Sequence, residues 1–269
     1  MPAKQNNPLT INPNALDLVH VATYERQIGA SLERVWENVR DWEHLPHLHD
    51  TSFDHCELDE AGDWGWRVWS DPGHTSYFEL VTDSDRYVVR TFVADAQVSE
   101  IWTHLAAQGD STDVRVEFHA TGVTPDNRDE VGQLYLAVYD TLWTEDEDMM
   151  CERQRRLDQR RDRAVEITLG PVDTLNDSLP HRFELNGREY LLTREGADWI
   201  AKPTICPHML GPLETAPGPD QLRCPWHGYV FDLATGRCVS PPGARCKLGQ
   251  PPTVVETGGQ LLARASQQH

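Results

Sequence analysis

The chain has 269 residues and a hydrophobic content of 39%, enough for a packed core in one large or two ordinary domains. Its 24 Lys and Arg against 43 Asp and Glu give a formal net charge of −19, which argues against nucleic acid because phosphates would be repelled. No apolar run approaches the ~20 residues that cross a bilayer, and the N-terminal segment lacks the apolar core of a signal peptide. We therefore expect a cytoplasmic protein without a membrane anchor.

The first predicted elements are a tail, a strand and a helix. Residues 1–18 are polar, with Asn and Pro, and lack periodicity, which predicts a disordered tail. Residues 21–30 alternate as a strand does, and Ser31 can then cap a helix. Because Pro46 disfavours helical geometry in the residue before it, we expect this helix to end near His44.

The pattern changes to period two between residues 64 and 121, where five strand candidates are separated by turns rich in Asp, Gly, Pro and Ser. They predict an antiparallel meander with one polar and one apolar face. Residues 126–162 then predict one long helix, because they contain no Pro and a single Gly near their start. From about residue 165, short strands and turns such as NGR and TGGQ predict a second, all-β domain.

This order of elements predicts an α+β protein. Strand, helix, meander and long helix suggest a curved sheet that wraps over the last helix and leaves a cavity between them. The arrangement resembles the helix-grip fold of the START and polyketide-cyclase superfamily. We expect a START-like domain over residues 19–164 and the all-β domain over residues 165–269.

Two clusters of cysteine and histidine lie in one proline-rich segment of the second domain: Cys206 with His208, and Cys224 with His227. Thiolate and imidazole suit zinc or iron–sulfur chemistry. Zinc sites usually draw on closer Cys-x-x-Cys pairs around a tetrahedral centre, and a zinc knuckle is the simpler alternative. One cysteine and one histidine from each loop suit a two-iron cluster, with both cysteines on one iron and both histidines on the other.

The residues around these clusters, CPH followed by GPL and the run CPWHGYVFDLATGRC, resemble both cluster loops of the Rieske family over roughly residues 165–265. The resemblance implies a [2Fe–2S] cluster on the two cysteines and two histidines. High-potential respiratory members have an extra cysteine in each loop, with Ser and Tyr at the positions of Tyr229 and Phe231. Fewer hydrogen bonds to the cluster imply a lower potential here. We expect Cys238 and Cys246 to be buried free thiols.

A second metal site is suggested by the segment WENVRDWEHLPHLHD, in which Asp41, His44 and His49 have the spacing Asp-x2-His-x4-His. The segment resembles the iron-binding segment of Rieske non-haem iron oxygenases, where the two histidines bind a mononuclear iron(II). Five residues along a regular helix would place two side chains about 140° apart, so the pair needs the break at Pro46. By geometry alone His47, three residues after His44, could be the second ligand instead.

In that family a carboxylate on the last helix of the catalytic domain completes the iron site. The segment WTEDEDMMCERQ offers several carboxylates, and helical spacing places only Asp146 on the apolar stripe. A carboxylate that faces a core needs a partner, and a metal is a suitable one. Glu147 is the second candidate, whereas Glu145 and Asp148 fall on the polar stripe. An acidic surface patch is the alternative explanation of the run.

The family also implies a role for Asp41, which there bridges the iron site and a cluster histidine and passes electrons. Here it would bond His44 and, across an interface, His208 or His227. Asp41 and His44 are three residues apart on the predicted helix, so both side chains should face one way. The domain order is the reverse of that in the usual oxygenase, which leaves open whether electrons cross within or between subunits.

The sequence therefore predicts the oxygenase component of a multicomponent Rieske-type monooxygenase or dioxygenase that uses O2 to hydroxylate, or to demethylate or desaturate, a small organic substrate. Electrons would come from a separate NAD(P)H-dependent reductase, with or without a ferredoxin, because the chain has no flavin or nicotinamide motif. Family members are often head-to-tail trimers, and a homotrimer is expected. The rival interpretation is a START-like domain that binds hydrophobic ligands, fused to a Rieske ferredoxin, which serves electron transfer or redox sensing without mononuclear iron.

Overall fold

The computed structural model describes residues 18–159, 164–218 and 220–266. It divides into two compact units, Met1–Cys151 and Glu152–His269, and the division falls inside the longest helix. The predicted tail lies outside the described residues except for Leu18. Within the described ranges, no helix has both the length and the apolar character that crossing a membrane requires.

The first unit is a seven-stranded antiparallel sheet with three helices. Its strands are ordered β1-β7-β6-β5-β4-β3-β2, so the predicted meander pairs in sequence and the first strand lies beside its last. The sequence analysis missed β2, which is an exposed edge strand, ELDEAG, without apolar alternation. The elements are β1 Val19–Ile28, α1 Leu32–Arg40, α2 Leu45–Leu48, β2 Glu57–Gly62, β3 Gly65–Trp69, β4 Ser76–Thr82, β5 Arg86–Val93, β6 Ala96–Gln108, β7 Ser111–Ala120 and α3 Arg128–Asp158.

The core of this unit lies between the inner face of the sheet and the helices. Val35 and Val39 of α1 and Trp143 of α3 are buried there against strand residues. Gly132 lets α3 approach β1, because a Cβ at this position would lie 2.8 Å from the carbonyl oxygen of Val21. The long helix therefore runs close along the sheet, as the α+β prediction requires.

The predicted helix end near His44 is wrong. Helix α1 ends at Arg40, and Asp41 is its C-cap residue. The Asp41 carboxylate accepts a hydrogen bond from the Glu43 backbone N–H at 3.1 Å, a local turn that competes with helix continuation. Pro46 then lies in the first turn of α2, where its missing N–H costs nothing, so it starts a helix rather than ending one.

The polar face predicted for the meander carries a row of mostly charged side chains, one from each strand in lateral register. Arg67, Glu79, Arg90 and Glu100 in this row are almost fully buried. Arg90 donates through Nε to Glu100 at 3.0 Å and through Nη1 to Glu79 at 3.4 Å. The face is thus polar but largely dry, with its charges paired across strands. The row comprises Glu60, Arg67, Glu79, Arg90, Glu100, His119 and His20.

We expect Arg90→Met to destabilise the sheet by about 3–5 kcal/mol, because it leaves the buried Glu100 carboxylate without its cation, whereas Glu79 keeps Arg67. Urea unfolding followed by tryptophan fluorescence measures the loss. The matched control is Arg115→Met, which removes a half-exposed cation paired with Glu117 and should change the free energy of unfolding by less than about 1 kcal/mol. Equal effects of the two substitutions would contradict this account of the row.

The described part of the second unit contains three small antiparallel sheets, and two of them share a core that includes Phe183, Leu192 and Leu261. The all-β prediction is confirmed apart from one short helix. Strands β12, β13 and β15 were not predicted because each has only two or three residues, and β8 was not predicted either. The strand orders are β11-β10-β9, β12-β13-β14-β15 and β16-β17-β8. The elements are β8 Glu166–Pro171, α4 Val172–Asp177, β9 His181–Leu185, β10 Arg188–Glu195, β11 Asp198–Pro203, β12 Glu214–Thr215, β13 Gln221–Arg223, β14 Val230–Asp232, β15 Cys238–Ser240, β16 Thr253–Thr257 and β17 Gln260–Arg264.

Candidate functional site

Three side chains that the sequence analysis named as metal ligands converge in the first unit. His44, His49 and Asp146 each offer one ligand atom, and these atoms lie within 4.8 Å of one another. His49 Nε2 is 3.1 Å and His44 Nε2 is 3.5 Å from the same oxygen, Asp146 Oδ1. All three residues are buried. Two imidazoles and a carboxylate are a donor set that suits a divalent transition metal and leaves coordination positions open.

The convergence depends on the one-turn helix α2. His44 is its N-cap residue and His49 its C-cap residue, so a single helical turn brings the two rings to a centroid distance of 5.1 Å. Asp146 comes from α3, which packs along the sheet and aims this one carboxylate inward. Asp146 is buried, as its place on the apolar stripe indicates, and its role as a metal ligand stays a prediction.

Two further polar residues hold this group in place, and the sequence analysis did not assign either of them a role. The Asn38 side-chain amide donates to Asp146 Oδ1 at 2.9 Å. His49 Nδ1 lies 2.6 Å from Glu145 Oε2, and because a carboxylate only accepts, Nδ1 is the donor. This contact orients the ring so that Nε2 faces Asp146. Asn38 lies on the same face of α1 as Val35 and Val39. A polar side chain on that apolar face was the sequence signal that could have indicated its role.

The charges of these residues are coupled. Burial would raise the pKa of Asp146, but the hydrogen bond from His49 and the proximity of His44 more than offset it, and the pKa is lowered. Burial would lower the pKa of His49, yet its contacts with Asp146 and Glu145 raise it overall. Without a metal, a proton on His49 therefore lies between two carboxylates. A divalent cation is a natural replacement for that proton.

The other ligand candidates lie elsewhere. The Glu147 carboxylate accepts hydrogen bonds from Arg26 Nη2 and from the Gly29 backbone N–H, each at 2.6 Å. These bonds hold it beside the end of β1, away from His44, His49 and Asp146. Asp148 is exposed, and His47 is half-buried on α2 outside the group of three. Asp41 Oδ2 is 3.9 Å from His44 Nδ1, too far for a direct hydrogen bond.

A cavity of about 490 Å³ adjoins the three residues, between the inner face of the sheet and α3. His44, His49 and Asp146 lie in its wall together with Asn38. The remaining wall is mainly apolar. The aromatic residues of the strands that line the cavity are Trp66, Phe78 and Tyr87, whereas Trp69 and Trp102 are not in its lining.

In the second unit, the two loops with cysteine and histidine have the same backbone pattern. Cys206 donates its backbone N–H to the Gly211 carbonyl at 2.8 Å, and Cys224 donates to the Tyr229 carbonyl at the same distance. Each loop is thus closed by a hydrogen bond spanning five residues and carries its histidine within that span. The two cysteines therefore occupy equivalent positions, whereas His208 is two residues after its cysteine and His227 is three residues after its own.

The fourth residue after each cysteine takes a positive φ, 63° at Leu210 and 66° at Gly228, which turns both loops back. The loops also pack on each other through Gly211. A Cβ there would come within 2.6 Å of the Trp226 ring and 2.9 Å of Cys224 Sγ, so only glycine fits. The glycines of the two loops therefore allow these loops to turn back and to pack closely against each other.

The four predicted ligands lie together between these loops. Cys206 and Cys224 are buried, and a hydrogen bond from Cys206 together with nearby His227 lowers the pKa of Cys224. The His208 and His227 rings are 4.7 Å apart at 84°. The donor set therefore divides into a thiol pair and an imidazole pair, as a Rieske-type [2Fe–2S] cluster requires.

The remaining thiols of this unit, Cys238 and Cys246, are in no disulfide, as predicted, but they are only partly buried. Cys238 lies on an edge strand, and its Sγ contacts the Ser240 carbonyl at 3.0 Å. Both thiols are therefore less buried than predicted. Tyr229 stacks on His208 at 4.3 Å and 10°, a contact that the sequence did not reveal.

Comparison with known proteins identifies the second unit. Residues 166–257 match the family model described as the Rieske [2Fe-2S] domain. Apoptosis-inducing factor 3 from Mus musculus is 32% identical over 80 residues, which cover 29% of this chain and only 13% of that relative. The ferredoxin of carbazole 1,9a-dioxygenase from Nocardioides aromaticivorans IC177 is 23% identical with a TM-score of 0.30, covering 38% of this chain and 100% of that one.

For the first unit, a START superfamily protein from Mycobacterium smegmatis is similar at 17% identity and a TM-score of 0.40, covering 49% of this chain and 97% of that one. Residues 166–257 thus form a Rieske domain. The Rieske domain supports a [2Fe–2S] cluster and implies an electron-transfer or oxygenase-related role.

Proposed function

We propose that this protein is the oxygenase component of a multicomponent Rieske-type system. It would use dioxygen and external electrons to hydroxylate a small organic substrate. Per C–H bond hydroxylated, the reaction takes up one dioxygen, two electrons and two protons and releases one water. The single observation that carries the proposal is the convergence of His44, His49 and Asp146 in the wall of an apolar cavity, on a chain that also has a Rieske domain.

Each group of residues around the cavity has its own proposed role. His44, His49 and Asp146 would hold iron(II), which when bound activates dioxygen. Asn38 orients the Asp146 carboxylate, and Glu145 holds His49 with Nε2 facing inward. The apolar wall of the cavity excludes water and holds the substrate beside the metal site.

The second unit would supply the electrons. Cys206, His208, Cys224 and His227 would hold the cluster, which accepts electrons from a separate NAD(P)H-dependent reductase, with or without a ferredoxin. We propose Asp41, beside His44, as the residue through which electrons approach the mononuclear site. A homotrimer would let one subunit supply another.

Cluster reoxidation tests the proposal against a ligand carrier fused to an independent ferredoxin. The protein is loaded with iron(II), reduced with dithionite, freed of excess reductant and mixed with oxygenated buffer in a stopped-flow spectrometer. We expect the cluster to reoxidise at least about tenfold faster in the wild type than in His44→Ala, because that variant lacks a site where the electrons are consumed.

The matched control is His47→Ala, which removes an imidazole from the same short helix outside the group of three and should reoxidise at the wild-type rate. Equal rates in the wild type and His44→Ala would favour the carrier with a ferredoxin.

A further inference from the structure

The cavity is elongated, with the metal site near one end. Tyr87 on β5 and Asp146 both line this end of the cavity. Burial and the nearby charge of Asp146 raise the pKa of Tyr87, although the hydrogen bond with Thr103 acts to lower it. Thr91 also lines the cavity, four residues further along the same strand, which is about 13 Å away at the rise of a β-strand. The lining extends along α3 from Asp146 back to Val131, about 22 Å of helix.

The end remote from the metal site carries a pair of hydroxyl groups. Ser99 Oγ is 2.8 Å from Thr91 Oγ1, and both residues line the cavity. The two are laterally paired on β6 and β5, and Ser99 is almost fully buried. One of the two hydroxyl protons is used between them, so the other, with the remaining lone pairs, is available to a ligand. The pair can therefore donate to and accept from one neutral oxygen.

The charges in the wall are confined to the metal end. Within the part of the chain that the structure describes, the lining contains no Lys, Arg or Glu, and its only Asp is Asp146. A carboxylate or phosphate held at the far end would have no cation to compensate its desolvation, and it would be expelled. The wall between the two ends is apolar, with Phe78, Leu80, Val89, Ile101 and Leu142 among its residues.

The cavity reaches solvent along the N-terminal half of α3. Leu134 and Val138 belong to its lining, yet they are 63% and 44% exposed. This opening lies away from Asp146, which is eight or more residues further along the helix. A ligand would enter with its apolar end first and leave its polar end near the hydroxyl pair.

From this arrangement we propose the substrate class: a neutral, elongated, mainly apolar molecule with one hydroxyl or carbonyl oxygen about 13 Å from the position that is oxidised. Ser99 and Thr91 bind that oxygen and fix which end of the molecule reaches the metal site. The inference rests on the proposed function for the identity of the oxidised end. The binding site itself requires neither iron nor dioxygen.

The test is displacement of the neutral fluorophore N-phenyl-1-naphthylamine by ligands of one chain length, decan-1-ol, 1-chlorodecane and decanoate. We expect the double variant Thr91→Val/Ser99→Ala to weaken decan-1-ol binding about five- to tenfold, the effect of one neutral hydrogen bond. Binding of 1-chlorodecane should not weaken, because chlorine makes no comparable bond. Decanoate should bind the wild type about a hundredfold less tightly than the alcohol.

The fluorophore itself should bind the wild type and the double variant equally, which reports that the cavity is intact. Thr121→Val, at an exposed threonine outside the cavity, should change none of these affinities. Equal loss of alcohol and chloroalkane binding, an unchanged alcohol affinity, decanoate binding as tightly as the alcohol, or no fluorophore binding would each overturn the proposal. Iron content measured on the same samples separates this outcome from failure of the proposed function, since either can fail alone.

Discussion

His49→Ala is expected to lower the iron content of the protein from about three to about two atoms per chain while leaving the [2Fe–2S] cluster intact. His49 would supply one of only three protein ligands, and its ring also carries the contact with Glu145 that orders the site. Removing it leaves His44 and Asp146 as a two-ligand site, too few to retain iron(II) through purification. The measurement is metal analysis combined with the electron paramagnetic resonance spectrum of the reduced cluster.

The control for this prediction is His47→Ala. It removes an imidazole from the same one-turn helix, two residues away, but His47 is not part of the group of three. Its iron content should remain at about three per chain. Loss of iron in His47→Ala with retention in His49→Ala would show that the ligand pair is His44 and His47, the alternative that sequence spacing left open.

The second large effect is expected from Cys224→Ser, which should abolish the visible colour and the Rieske resonance spectrum of the reduced protein. Cys224 is buried, and the lowered pKa of its thiol favours the thiolate that binds iron. Serine has nearly the same shape but offers a hydroxyl whose proton is far harder to remove. The mononuclear iron should remain, at about one atom per chain, because its three ligands belong to the other unit.

Cys238→Ser is the matched control, since this thiol belongs to the same unit but contacts only the Ser240 carbonyl among the described residues. It should keep the colour and spectrum of the wild type. A wild-type protein that is colourless after anaerobic purification, with one zinc per chain, would refute the cluster.

The residues that the sequence proposed as ligands lie close together, but the contacts around them were not predicted. Asp146 could be chosen from helical periodicity because a carboxylate on an apolar stripe is rare. Glu145 could not, since periodicity describes the direction of the Cα–Cβ bond and not how far a long side chain reaches back to His49. The end of α1 was predicted too late, near His44, because the Asp41 side chain forms a local turn that ends the helix several residues before Pro46.

The meander shows a different limit of sequence patterns. Alternation correctly separated the two faces of the sheet, and a polar pattern normally indicates solvent. Here Arg67, Glu79, Arg90 and Glu100 neutralise one another across strands and are buried. Which charged residues meet depends on strand register, which a pattern of single residues does not contain.

The central claim is that one chain carries both a two-iron cluster and a separate mononuclear iron. The most direct test is the Mössbauer spectrum of reduced protein produced with ⁵⁷Fe and purified without oxygen. The account predicts that about two thirds of the iron is in a Rieske cluster and about one third in a high-spin ferrous site, and that the ferrous component disappears in His49→Ala. A spectrum containing the cluster alone in the fully iron-loaded wild type would contradict it.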